Sequence, residues 1–107
     1  MSFIGGPSKG VLLQMSQGIA SVAMQLQLLL SGLEEKDRQE MIQAMKAEGA
    51  PTSMNELITM SASVIREQNM GWYKKNQFLG MIFGSLVSVG MSAPDANYIK
   101  GQIELLS

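Results

Sequence analysis

A chain of 107 residues with a formal net charge of -1 can bury a core of its own, but lacks the basic excess expected of a nucleic-acid binder. It has no Cys, which excludes disulfides and thiolate chemistry, and no His, which removes the commonest general base and the commonest metal ligand. Only 16% of its residues are charged, against about 25% in ordinary globular chains, so Ser, Gln, Asn and Gly stand where Lys and Glu usually face water.

Residues 1–9, MSFIGGPSK, are expected to form a flexible arm whose Phe3 and Ile4 could rest on a neighbour or on the chain's own bundle. The start does not read as a signal peptide, because Gln14 and Gln17 interrupt the apolar run and no small-residue cleavage pattern follows. Ser2 stands where N-myristoylation needs a glycine. A first helix is predicted over 9–30. From Val11 to Leu33 there is no charge, and Leu12, Met15, Ile19, Val22, Leu26, Leu29 and Leu33 step as an a/d seam. Leu13, Ala20, Ala23, Met24, Leu28 and Leu30 fall outside that seam, so the helix is apolar around most of its circumference. Such a helix is buried at a bundle's centre, lies at an interface or enters a membrane.

Ser31 and Glu34 read as a capping box opening a second helix over 33–48. This segment holds eight of the chain's 17 charged residues, with Glu34–Arg38 and Lys36–Glu40 at i,i+4 spacing. Its apolar stripe, Leu33, Met41, Ile42, Ala44 and Met45, lets only the C-terminal half dock firmly. Gly49 and Pro51 supply the stop. A third helix, 53–69, opens on a second capping box, Ser53 and Glu56, and turns Leu57, Ile58, Ser61, Val64 and Ile65 to one face, with Arg66 and Glu67 outward. At Asn69-Met70-Gly71 the chain either breaks or continues into the fourth helix, 72–90. Ser92 and Asp95 open a fifth helix over 93–106, with the stripe Ile99, Ile103 and Leu106.

Four clusters are candidates for function. Glu34, Glu35, Asp37 and Glu40 are interleaved with Lys36 and Arg38 and read as a solvated helix face, not as a metal or acid–base site. Gly80, Gly84 and Ser88 put small residues at i, i+4 and i+8, which lets another helix backbone come close; packing against the first helix is the expected use, and self-association the alternative. Trp72-Tyr73-Lys74-Lys75 resembles either a membrane-interface belt or a protein hot spot. The ten Met residues, with Met41 and Met45 on one face, suit an adaptable contact surface as well as a core. A conventional serine triad cannot be built without His, and no Ser-x-x-Lys occurs.

The expectation is an all-α single domain, 1–107, a small bundle of four to five helices around a long, uncharged N-terminal helix. It carries no cofactor or metal site and no enzyme activity. It works in the cytoplasm as an adaptor or structural subunit that buries apolar faces against a protein partner or its own copies. Met41, Met45, Trp72, Tyr73, Lys74, Lys75, Gly80, Gly84 and Ser88 are the expected partner-binding residues. In composition the chain resembles small bacterial secretion or phage assembly proteins. The alternative is a membrane hairpin with spans near 10–33 and 76–93, which would have to partner Gln14, Gln17, Gln25 and Gln27 in lipid.

Overall fold

The computed structural model describes residues 7–107, with the backbone alone for Leu30, and folds them into five helices. These are α1 Lys9–Leu30, α2 Glu35–Ala47, α3 Met54–Glu67, α4 Trp72–Ser88 and α5 Ala93–Leu106. No strand occurs among the described residues, so the fold is the all-α bundle expected from the periodicity. Phe3 and Ile4 lie outside the described residues.

Each helix opens after a residue in extended backbone. At three of them a serine hydroxyl accepts one of the otherwise unpaired first-turn amides: Ser8 from Val11 at 3.3 Å, Ser53 from Glu56 at 3.1 Å and Ser92 from Asp95 at 3.3 Å. The Ser53 box is displaced by one residue on its return side, because Glu56 Oε1 accepts from the Thr52 amide at 2.9 Å. The expected Ser31–Glu34 box does not form. Ser31 ends α1 instead, its hydroxyl donating to the Leu28 carbonyl at 3.0 Å, and Glu34 precedes α2 without capping it through its side chain.

Three helices stop at glycines in the left-handed region, α1 at Gly32 (φ +95°), α2 at Gly49 (φ +74°) and α4 at Gly90 (φ +106°). At the last two, the amide after the glycine returns to the carbonyl five residues back, Ala50 to Met45 at 2.9 Å and Met91 to Leu86 at 3.1 Å. These paired closures satisfy carbonyls that a helix end would otherwise leave bare. Asn69, at φ +53°, ends α3 in the same conformation, so the chain breaks before Gly71.

The core is built on α1 and α4, the most broadly packed pair, with α5 against α4 and α3 against both α5 and α1. Leu12, Leu26 and Leu29 of the expected seam are buried, but midway along α1 the most deeply buried face is displaced from it. Ser16, Ala20 and Ala23, at i, i+4 and i+7, are fully covered, whereas Met15, Ile19 and Val22 are only half-buried. Phe78, Leu79, Ile82 and Leu86 of α4 are fully buried. Ser16 meets Ser85 of α4 hydroxyl to hydroxyl at 3.3 Å and donates to its own Leu13 carbonyl at 2.8 Å, so its burial leaves no polar atom unpaired.

Helix α2 stands apart and forms no broad interface with any other helix. As its sequence pattern implies, it docks by its C-terminal half, with Met45 buried and Met41 and Ile42 half-buried on the core. Arg38 ties its other end to the last turn of α1 and to the connection after it, donating from Nε to the Leu29 carbonyl at 3.1 Å and from Nη2 to the Leu33 carbonyl at 3.0 Å. A cation on the last carbonyls of α1 also complements the helix dipole. The partner of Arg38 is Glu35 at 3.1 Å, not Glu34, because Glu34 lies outside the helix and out of register. Among the described residues this is the single ion pair, so Lys36 and Glu40 do not bridge. In α5, Ile99 and Ile103 of the expected stripe are buried together with Ala96, but Leu106 lies half in water in the last turn.

Phe78 is the largest side chain with no exposure at all. Phe78→Ala is expected to lower the unfolding free energy by about 3–5 kcal/mol, the sum of lost transfer energy and a residual cavity. Urea denaturation followed by circular dichroism measures it; a loss under about 1 kcal/mol would show that α4 is not the core helix described.

Candidate interaction surface

Helices α1 and α3 pack together, and a groove of about 240 Å³ opens between them, with the small residues Gly18 of α1 and Ser61 of α3 in its lining. Its walls are Met15, Ile19 and Val22 from α1, Leu57, Met60 and Val64 from α3, and Pro51 from the preceding loop. Ser61 donates its hydroxyl to the Leu57 carbonyl at 2.8 Å, which spends its polarity within its own helix. The lining is therefore almost wholly apolar. Along α1 the groove covers about two helical turns, roughly 10 Å. A second hollow of about 310 Å³ lies farther along the same pair of helices, at Leu26, Leu29, Thr52, Ser53, Met54 and Asn55, with a more polar rim.

Beyond Lys9, the outward face of α1 is uncharged as well: Gln14, Gln17, Gly18, Ser21 and Gln25 lie exposed beside the part-exposed Val11, Leu13, Met24 and Leu28. The long first helix is thus not wrapped by its own chain. It gives its small-residue face to α4, half of its seam to α3, and the rest to the surroundings.

The expected partner-binding residues fall into three places. Met45 is buried in the core and out of any partner's reach, while Met41 beside it is half-buried. The packing expected between the Gly80, Gly84 and Ser88 stripe and α1 is overturned: all three are exposed, and a Cβ built on either glycine meets nothing within 4 Å. The small residues that let α1 and α4 close belong to α1, as Ser16, Ala20 and Ala23, and the opposite edge of α4 faces outward. Trp72 and Tyr73 stand almost free, with Lys74 and Lys75 half-buried next to them. The stripe, the Met pair and the aromatic corner do not converge on one site. The groove residues Met15, Gly18, Met60 and Ser61 were not singled out from sequence as a site, although an interior glycine in one helix and a small residue midway along the apolar face of another are visible marks of a gap.

The four acidic residues Glu34, Glu35, Asp37 and Glu40 are all exposed, and Glu35 accepts from both Arg38 and Gln39. Among the described residues no helix is long and apolar enough to cross a membrane. The spans expected near 10–33 and 76–93 thus have no counterpart; α4 itself is 17 residues long and carries two glycines. In comparisons with known proteins, no family model, no curated protein and no solved structure matches the chain.

The open space above α4 has a measurable consequence. Gly80→Ala and Gly84→Ala are each expected to raise stability by about 0.5–1 kcal/mol, because alanine relieves the entropic cost of a helix-interior glycine and strikes nothing. Thermal unfolding of the two variants checks this, and a loss at either position would mean that the face is packed after all.

Proposed function

We propose that this protein is a non-enzymatic assembly subunit that acts by contact, two copies burying their α1–α3 grooves against each other. The observation that carries this reading is the groove itself, apolar on both walls and open. Met60, 47% exposed, stands on its rim as a flexible knob, and Gly18 with Ser61, the two smallest lining residues, leaves a hole between the larger ones. A two-fold axis would place the Met60 of each copy over the hole of the other, the arrangement of an isologous interface. Met adapts to irregular gaps and suits such a contact. Charge does not oppose it: the net charge of -1 gives copies little mutual repulsion, and the α1 side of the rim carries none. Each 100 Å² of lining taken from water contributes about 2.5 kcal/mol toward association, before the entropy of docking is subtracted.

Sedimentation equilibrium of three proteins tests the reading. The native chain is expected to dimerise reversibly. Met60→Glu places a charge on the rim, and Gly18→Leu fills the hole from within a monomer at a position where an added Cβ meets nothing within 4 Å. Each is expected to cost about 2 kcal/mol or more of association, roughly thirtyfold in Kd. Melting temperatures recorded at dilutions where the native protein is monomeric should not fall, and for Gly18→Leu should rise. A native chain that stays monomeric at high concentration, or variants that dimerise as well as it does, would overturn the proposal.

A further inference from the structure

Away from the groove, one end of the bundle holds an unusual set of side chains. α3 ends at Glu67 and α4 starts at Trp72, so the short loop between them keeps both ends together. The Arg66 guanidinium donates to the Leu106 carbonyl and brings the last turn of α5 to the same place. Four large apolar side chains therefore stand in water at one end: Trp72 at 79% exposure, Tyr73 at 71%, Leu105 at 79% and Leu106 at 49%. Lys74 and Lys75 follow directly on α4, and Arg66, Glu67 and Glu104 share this end of the bundle. Glu67 is in addition engaged by the Ser63 hydroxyl at 3.0 Å.

We propose that this end of the bundle rests on an anionic membrane surface, with the Trp72 and Tyr73 rings at the headgroup level, Leu105 and Leu106 dipping to the acyl boundary, and Lys74 and Lys75 against lipid phosphates or carboxylates. The chemistry is layered in the order an interface demands. Indole and phenol rings have an apolar body and a polar edge, and they collect where hydrocarbon meets water. Lysines have apolar stems that run along such a boundary while their ammonium groups stay hydrated beside anions. The four apolar side chains project from helix ends far into water, so they fit a soft, deformable surface better than the pocketed face of another protein. The proposal is peripheral docking and requires no spanning helix. It is independent of the α1–α3 groove.

Trp72 is the chain's one tryptophan, so its emission reports this end alone. The test adds vesicles of phosphatidylcholine with phosphatidylserine, or of phosphatidylcholine alone, to the full chain and follows emission and vesicle flotation. The expected result is a blue shift and co-flotation with the anionic vesicles, reduced by salt. The double variant Lys74→Gln/Lys75→Gln should bind about 25-fold more weakly, about fivefold for each lysine. Tyr73→Ser/Leu105→Ser, at exposed positions that leave the melting temperature unchanged, should abolish flotation. Unaltered emission with no flotation would overturn the proposal, as would flotation that neither double variant weakens. A blue shift that grows with protein concentration in the absence of vesicles would also overturn it, by assigning this end to protein contact.

Discussion

The close approach of α1 to α4 sets the rest of the architecture. Ser16, Ala20 and Ala23 offer almost no side-chain bulk, so the two helices come together and the larger Phe78, Leu79, Ile82 and Leu86 fill the core alongside. Small residues at helical spacing allow this because interhelical distance follows the side chains at the contact. The Ser16–Ser85 contact keeps both hydroxyls paired in a place where an unpaired one would cost about 1–3 kcal/mol. Once α1 has turned this face to α4, its a/d residues Met15, Ile19 and Val22 are swung to the flank. There α3 covers them only in part, since Gly18 and Ser61 cannot reach across. The groove is a consequence of the core, one helix face displaced from the other.

The same geometry explains why so few charges suffice. A helix with its small face inward and the middle of its seam sideways shows the solvent glutamines, serines and glycines, with Val11, Leu13, Met24 and Leu28 among them. Charge is concentrated instead on α2, the helix least embedded in the bundle, which is held by Met45 below and by the Arg38 guanidinium on the end of α1. The molecule is accordingly long, 49 × 29 × 23 Å, with a radius of gyration of 14.5 Å against about 13 Å for a compact chain of this length. An elongated body with an uncharged flank is suited to side-by-side packing, which is the reading proposed for the α1–α3 groove. The aromatic end is a separate surface with separate chemistry.

Much of the architecture could be read directly from residues. Ser53 and Ser92 mark their helix starts, Gly49 and Pro51 a stop, and the spacing of Leu57, Ile58, Ser61 and Ile65 the buried face of α3, because caps and periodicity act within one turn of chain. Ser31 was misassigned because a serine followed three residues later by glutamate suits a helix start as readily as the turn beyond a helix end; here Gly32 at φ +95° ended α1 first. The glycine stripe was misread for a deeper reason. Gly80 and Gly84 mark where a helix could come close, but which small face is used depends on the partner helix, and Ser16, Ala20 and Ala23 of α1 already filled that role. The groove was beyond a single-helix reading, because Gly18 and Ser61 lie 43 positions apart in the chain and a gap between them exists only after the two helices are set side by side.

The central claim is that α1 retains apolar surface on its α3 flank which a second copy covers. Methyl NMR of the ten methionines during dilution reads that flank most directly. The Met15 and Met60 signals should move with concentration, while Met45 and Met91, buried in the core, stay fixed. Met15 and Met60 signals that hold still across the whole dilution series, or movement confined to methionines elsewhere, would contradict it.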